Sequence, residues 1–132
     1  MAARTDGYGF PRGARLLTGR DYRRVFQNAE RIADRHFTIL VRAGATQGAR
    51  LGLAIGKRHV PRAHDRNRLK RLCRETFRHW RPELPPVDIV VLARPGARLL
   101  PKPALRTKLD KLWERVRDQC SELSRDSSGS TR

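Results

Sequence analysis

From Arg66 to Arg78 the chain reads Arg-Asn-Arg-Leu-Lys-Arg-Leu-Cys-Arg-Glu-Thr-Phe-Arg, and the chemistry open to so many cations is neutralisation of an anion. With Leu69 at zero on a helical wheel of about 100° per residue, Leu72, Cys73, Thr76, Phe77 and Trp80 fall within about 80° of it. Asn67, Lys70, Arg71, Arg74, Arg78 and Arg81 gather between about 100° and 200° on the same wheel. Like charges three and four residues apart oppose a helix by a few tenths of a kcal/mol per pair, so the stripe is unfavourable until a polyanion neutralises it. RNA is the polyanion it fits best. Just upstream, Lys57, Arg58 and Arg62 meet the start of the same helix. Cations there oppose the macrodipole while the free N–H groups attract anions, and a bound phosphate reconciles the two. A solvated charged loop is the plain alternative.

Catalytic chemistry has less to work with. Hydrolysis of a phosphodiester by protein groups needs converging carboxylates to hold metal ions, and Asp21, Asp34, Asp65, Glu75 and Asp88 are scattered along the chain. Asp65 and Asp110 suit first-turn positions near helix starts. Glu75, four residues after Arg71, suits an intrahelical ion pair. His36, His59, His64 and His79 have neither His-x-x-x-His spacing nor a cysteine companion, which argues against a structural zinc site. No Gly-rich phosphate loop is present. No catalytic and no metal-ligating residue is therefore assigned, and the chain is expected to be a binding subunit. Tyr22, Phe26 and Phe37 remain open between two roles: core packing, or the lip of a groove on which single-stranded bases stack.

The elements that must position these groups follow from periodicity. Thr18 and Asp21 form a capping box, with Leu17 and Tyr22 as its hydrophobic staple. The helix after it aligns Tyr22, Val25, Phe26 and Ala29. Residues 36–42 alternate with Phe37, Ile39 and Val41 on one side, and residues 50–55 alternate with Leu51, Leu53 and Ile55 inward. The two runs are expected to pair as a hairpin. The basic helix spans about residues 62–80 and is stopped by Pro82, Pro85 and Pro86. Val87–Ala93 is apolar and β-branched, as a central strand requires. Leu105, Leu109, Leu112, Trp113, Val116, Cys120 and Leu123 mark a final amphipathic helix. The expected architecture is an α+β, two-layer α-β-β-α-β-α sandwich with a small central sheet. Its boundaries are an irregular segment at 1–16, one RNA-binding domain at 17–123 and a disordered tail at 124–132.

Composition agrees with one modest, nucleic-acid-binding domain. The 132 residues hold 30 Lys plus Arg against 13 acids, a net charge of +17 and a pI near 11.6, an electrostatic footprint of nucleic-acid binders. Cys73 and Cys120 both fall on apolar helix phases, as buried reduced thiols do. No apolar run reaches membrane-spanning length and no signal-peptide core precedes residue 10, so a cytoplasmic location is expected.

Leu53-Ala-Ile-Gly-Lys-Arg58, Arg62-Ala-His-Asp-Arg-Asn-Arg-Leu-Lys-Arg71 and Arg74-Glu-Thr-Phe-Arg78 strongly resemble the protein subunit of bacterial ribonuclease P, whose signature is Arg-Asn-Arg followed by Lys-Arg and Arg-Glu-x-Phe-Arg. Phe10-Pro11-Arg12, Leu16-Leu17-Thr18, Tyr22-x-x-x-Phe26, Glu83-Leu84-Pro85, Asp88–Ala93 and Lys111-Leu-Trp113 extend the likeness over about residues 10–120. The resemblance implies a left-handed βαβ crossover through the basic helix. It also implies a catalytic RNA partner that removes the 5′ leader of precursor tRNA with Mg²⁺ held mainly by the RNA. By position, Lys57, Arg58, Arg62, Arg66, Asn67, Arg68, Lys70, Arg71, Arg74 and Arg78 would face RNA. Tyr22 and Phe26 match the aromatics of a cleft that receives the leader. Some relatives carry a further aromatic on the first strand; here Phe37 or an aliphatic neighbour in Phe37-Thr-Ile-Leu40 would stand in for it.

The alternative function is a structural RNA-binding protein of ribosomal type. A DNA-binding role is disfavoured because no short turn and preceding helix complete a helix-turn-helix. A membrane-surface helix is disfavoured because the apolar face is needed by the core.

Overall fold

The computed structural model describes the backbone of residues 15, 18–44 and 48–129, and side chains as far as residue 119. Thr18 opens helix α1 (Gly19–Gln27): its hydroxyl accepts from the Asp21 N–H at 3.1 Å while the Asp21 carboxylate accepts from the Thr18 N–H at 3.4 Å. The capping box is thus present; Leu17 of the expected staple lies outside the described residues. Strands β1 (Glu30–Ala33) and β2 (Phe37–Ala43) follow, then β3 (Arg50–Leu53), helix α2 (Ala63–Trp80), strand β4 (Val87–Ala93) and helix α3 (Lys102–Gly129). Short 3₁₀ turns at Arg81–Glu83 and Pro95–Leu99 flank β4.

The four strands lie in the order β1-β2-β4-β3. β2 and β3 do not form the expected hairpin. β2 pairs with β1, antiparallel with Ile32 opposite Ile39, and on its other side with β4, antiparallel with Val41 opposite Ile89. β3 joins β4 in parallel with Leu51 opposite Ile89, and α2 is the crossover between them. The true hairpin is closed by Asp34, whose carboxylate accepts from the N–H groups of His36 and Phe37 at 2.8 and 2.9 Å. Such an Asx turn is local and tight. β1 has only Ile32 buried, so four residues carry almost no period-2 signal.

Two apolar layers form on the sheet. Phe37, Ile39, Val41, Leu51, Ile89 and Val91 meet Leu69, Leu72, Cys73 and Phe77 of α2 and Leu105, Leu109, Leu112, Trp113 and Val116 of α3. Phe77 and Trp113 pack edge to face with centroids 5.4 Å apart, an arrangement favoured by the ring quadrupoles. The Trp113 indole N–H reaches the Thr76 hydroxyl at 2.7 Å, and that hydroxyl donates to the Leu72 carbonyl at 2.8 Å, so both buried polar groups are satisfied. The opposite face of the sheet packs Val90 against Val25 of α1, with Tyr22, Leu40, Ala54 and Leu92 around them. Cover on both faces explains why β4 is almost wholly buried along its length.

Two local expectations are replaced. Glu75 pairs with Arg106 of α3 at 2.9 Å in place of Arg71, because α3 packs beside it. Asp110 lies two turns into α3 and accepts from the Trp80 indole N–H at 3.1 Å. Helix α3 is described as far as Gly129, within the stretch 124–132 expected to be a tail; residues 130–132 lie outside the described residues.

Candidate nucleic-acid interface

Burial of Leu69, Leu72, Cys73, Thr76 and Phe77 fixes the rotation of α2, and the cationic stripe is what that rotation leaves outside. Asn67, Arg71 and Arg74 are exposed, and Lys70 and Arg78 are half-buried at its margins. Lys57, Arg58 and Arg62 are exposed in the connector, which turns through a hydrogen bond from the Val60 N–H to the Gly56 carbonyl at 3.1 Å. No side chain caps the start of α2 at Arg62, leaving first-turn N–H groups for an anion to meet.

The two arginines of the Arg-Asn-Arg motif have a second task. Arg66 donates to the carbonyls of Val60 and Pro61 at 2.9 and 2.8 Å, locking the connector to the first turn of α2. Arg68 donates to the carbonyls of Leu100 and Arg98, both at 2.9 Å, tying α2 to the segment that leads into α3. A guanidinium has five N–H donors, so each arginine keeps donors and its full charge after bracing the backbone. Asn67, between them, points outward.

On the other face of the sheet, α1 presents the aromatics. Val25 takes the buried position, which leaves Phe26 49% exposed; the core role open to it from sequence is not the one it has. Tyr22 is half-buried, and its phenol oxygen accepts from the Leu53 N–H at 3.2 Å. Phe37 does not join them. It is fully buried among the residues facing α2 and α3, because side chains alternate along a strand and the parity that buries Ile39 and Val41 takes Phe37 with them. Thr38, Leu40 and Arg42 are the β2 residues on the α1 side; Arg42 donates to the Arg24 carbonyl of α1 at 2.8 Å, and Leu40 and Leu92 pack around Val25 and Val90 there.

What holds α1 in place was missed from sequence. Arg50 grips Asp88 through two hydrogen bonds, Nε to Oδ1 at 2.9 Å and Nη2 to Oδ2 at 2.8 Å, and its Nη2 lies 3.6 Å from Asp21 of the capping box. The bond to Asp88 raises the Arg50 pKa above its ordinary value. An aspartate inside the apolar run Val87–Ala93 was the available signal, since a buried carboxylate needs a partner. Further acids are engaged too: Asp34 with Lys108 at 2.9 Å and Glu83 with Arg117 at 3.3 Å. Among the described residues no three His, Cys, Asp or Glu side chains group as metal ligands. Cys73 is fully buried, and desolvation pushes its thiol up to about 12 against the smaller opposing pull of Arg74.

The protein-family model for ribonuclease P matches residues 10–117, which include both faces described above. The chain belongs to the bacterial ribonuclease P protein family. It is 45% identical over 113 residues to the ribonuclease P protein component of Thioalkalivibrio sulfidiphilus, covering 86% of this chain and 94% of that one. To the ribonuclease P protein component of Photorhabdus laumondii it is 49% identical over 106 residues, covering 80% of this chain and 89% of the relative. The solved structure of the ribonuclease P protein from Thermotoga maritima superposes with a TM-score of 0.68 at 30% identity, covering 77% of this chain and 96% of that one. The chain is thus a ribonuclease P protein subunit with an α+β fold, whose described residues form a four-stranded mixed sheet and three α-helices. Among its described residues no helix is long and apolar enough to cross a membrane.

Proposed function

We propose that this ribonuclease P subunit binds the catalytic RNA through α2 and its connector, and the single-stranded 5′ leader of precursor tRNA through the cleft between α1 and the sheet. Lys57, Arg58, Arg62, Lys70, Arg71, Arg74 and Arg78 supply charge to the first surface, with Asn67 as a neutral donor and acceptor among them. Arg66 and Arg68 add charge while holding the surface in shape. Tyr22 and Phe26 offer rings to bases in the second, with Leu40 and Leu92 below. The observation that carries the proposal is the half-exposed Phe26 standing on the sheet face opposite a separate, cation-lined helix: two different surfaces suit two different RNA segments.

Cleavage itself belongs to the RNA partner, whose phosphates are oxygen ligands suited to Mg²⁺. The protein screens repulsion between two polyanions and retains the leader, a task of the cytoplasm where tRNA precursors are matured. Reconstitution tests this division of labour. Protein with precursor tRNA and Mg²⁺ should give no product, and adding the cognate ribonuclease P RNA should give a single cut at the 5′ end of the mature tRNA. The gain from protein should be largest at low Mg²⁺, where ions screen least. Specific cleavage by RNA-free protein would overturn the proposal.

A further inference from the structure

Gly52 sits in edge strand β3 directly beneath Tyr22. A methyl group at position 52 would come within 2.7 Å of Tyr22 Cε1 and 2.8 Å of its Cζ and phenol oxygen, closer than carbon atoms tolerate, so any side chain there displaces the ring. Glycine inside a strand weakens it and marks places where another group approaches closely. The tip of the same ring is held as well, by the Leu53 N–H at 3.2 Å. Its root is held by α1, whose first turn is drawn to the sheet through Asp21 and Arg50 and whose Val25 is buried against Val90, the register partner of Gly52. The outer edge of β3 is thereby covered twice, by Arg15 bridging to Leu51 and by the Tyr22 hydroxyl at Leu53. With its oxygen accepting from that amide, the phenol keeps its own O–H to donate outward.

We infer that Gly52 and the Leu53 amide form a seat that sets the Tyr22 ring before RNA arrives, making Gly52 a positioning residue for the leader-binding cleft. This rests on the leader-binding role proposed above. A ring already fixed loses little rotamer freedom when a base stacks on it, which favours binding by preorganisation. The seat also places the cleft beside the connector, since Lys57 follows Leu53 by only four residues.

A double-mutant cycle in the reconstituted ribonucleoprotein tests the seat. Binding of precursor tRNA with a 5′ leader, and of leaderless tRNA, is measured for wild type, Gly52→Ala, Tyr22→Ala and the double variant. Gly52→Ala should weaken leader-bearing precursor by about tenfold, the scale of losing one stacked base, with leaderless tRNA unaffected. Once Tyr22 is alanine, Gly52→Ala should have no further effect. An equal loss in both backgrounds, or on both substrates, would mean that position 52 acts through folding and would overturn the seat. A leader-specific loss in Tyr22→Ala with a silent Gly52→Ala would also overturn it, leaving the cleft intact. If Tyr22→Ala itself does not discriminate the substrates, the leader-binding role falls and the seat with it. Should Gly52→Ala fail to assemble, Tyr22→Phe keeps the ring and removes only the oxygen; it should lose a smaller, leader-specific factor, and no change would overturn the amide anchor.

Discussion

Phe26 is the residue whose surroundings say most about its work, because burial gives no reason for an aromatic side chain that is half in solvent. Replacing it by alanine should reduce affinity for leader-bearing precursor by about 1–3 kcal/mol per stacked base and leave leaderless tRNA unchanged in the same binding assay. Thermal unfolding should change little, within about 0.5 kcal/mol as for most surface substitutions. A different residue governs pH dependence. His36 follows the Asp34 turn with its Nδ1 buried and unpartnered. Burial first, then Lys108 and Arg35, lower its pKa below the ordinary 6.5, against an opposing pull from Asp34. A depressed histidine stabilises the fold fully above 6.5, and that contribution is lost as pH falls from there toward the folded-state value. Melting temperature should therefore drop between pH 7 and 5 in wild type, with a shallower slope in His36→Gln. At lower pH Asp34 adds its own loss. Its burial raises the pKa, but the bond from Lys108 and the amides of Phe37 and His36 outweigh this and hold it below 3.8.

Helix α2 joins two requirements in one element. Its apolar face must dock, and docking decides which of its cations remain outside. Arg71 and Arg74 are exposed on the stripe, whereas Arg115 is equally exposed on α3. Arg71→Glu and Arg74→Glu should each cut affinity for ribonuclease P RNA by tenfold or more while circular dichroism stays native, and Arg115→Glu should change it little. Equal losses at all three positions in filter binding would make the contact nonspecific charge attraction. Arg66 and Arg68 belong to a different class of position, since removing either also releases the carbonyls it braces. Their loss would mix a binding defect with a loosened connector or a loosened lead into α3.

For the whole molecule, a net charge of +17 on 132 residues makes release of counterions from the RNA a leading source of its binding free energy. If about six phosphates are neutralised, log affinity should fall against log salt with a slope near −4, taking about 0.7 per contact for single strands. A slope near zero in a titration of monovalent salt would remove the electrostatic basis of the interface. Several of the described acids pair with cations outside the α2 stripe: Asp21 and Asp88 with Arg50 on the α1 side of the sheet, Asp34 with Lys108, Glu75 with Arg106, and Glu83 with Arg117.

The amino-acid sequence by itself determined what depends on neighbours along the chain. The capping box at Thr18, the 3.6-residue phase of α2 with its cations on one side, the apolar run of β4 and the leucine spacing of α3 are all local patterns, and local patterns survive without knowledge of the fold. Tertiary structure decided what depends on partners distant in sequence. Strand pairing is non-local, so two alternating runs could not reveal that β4 would insert between β2 and β3 and that the short β1 would close the hairpin. Parity along β2 told which residues share a side, but only the helices covering each face decided that Phe37 goes to the layer under α2 and α3 and Leu40 to the side under α1. In the same way Arg66 and Arg68 were legible as cations, while their carbonyl partners, up to 32 residues away, exist only once α2 has docked.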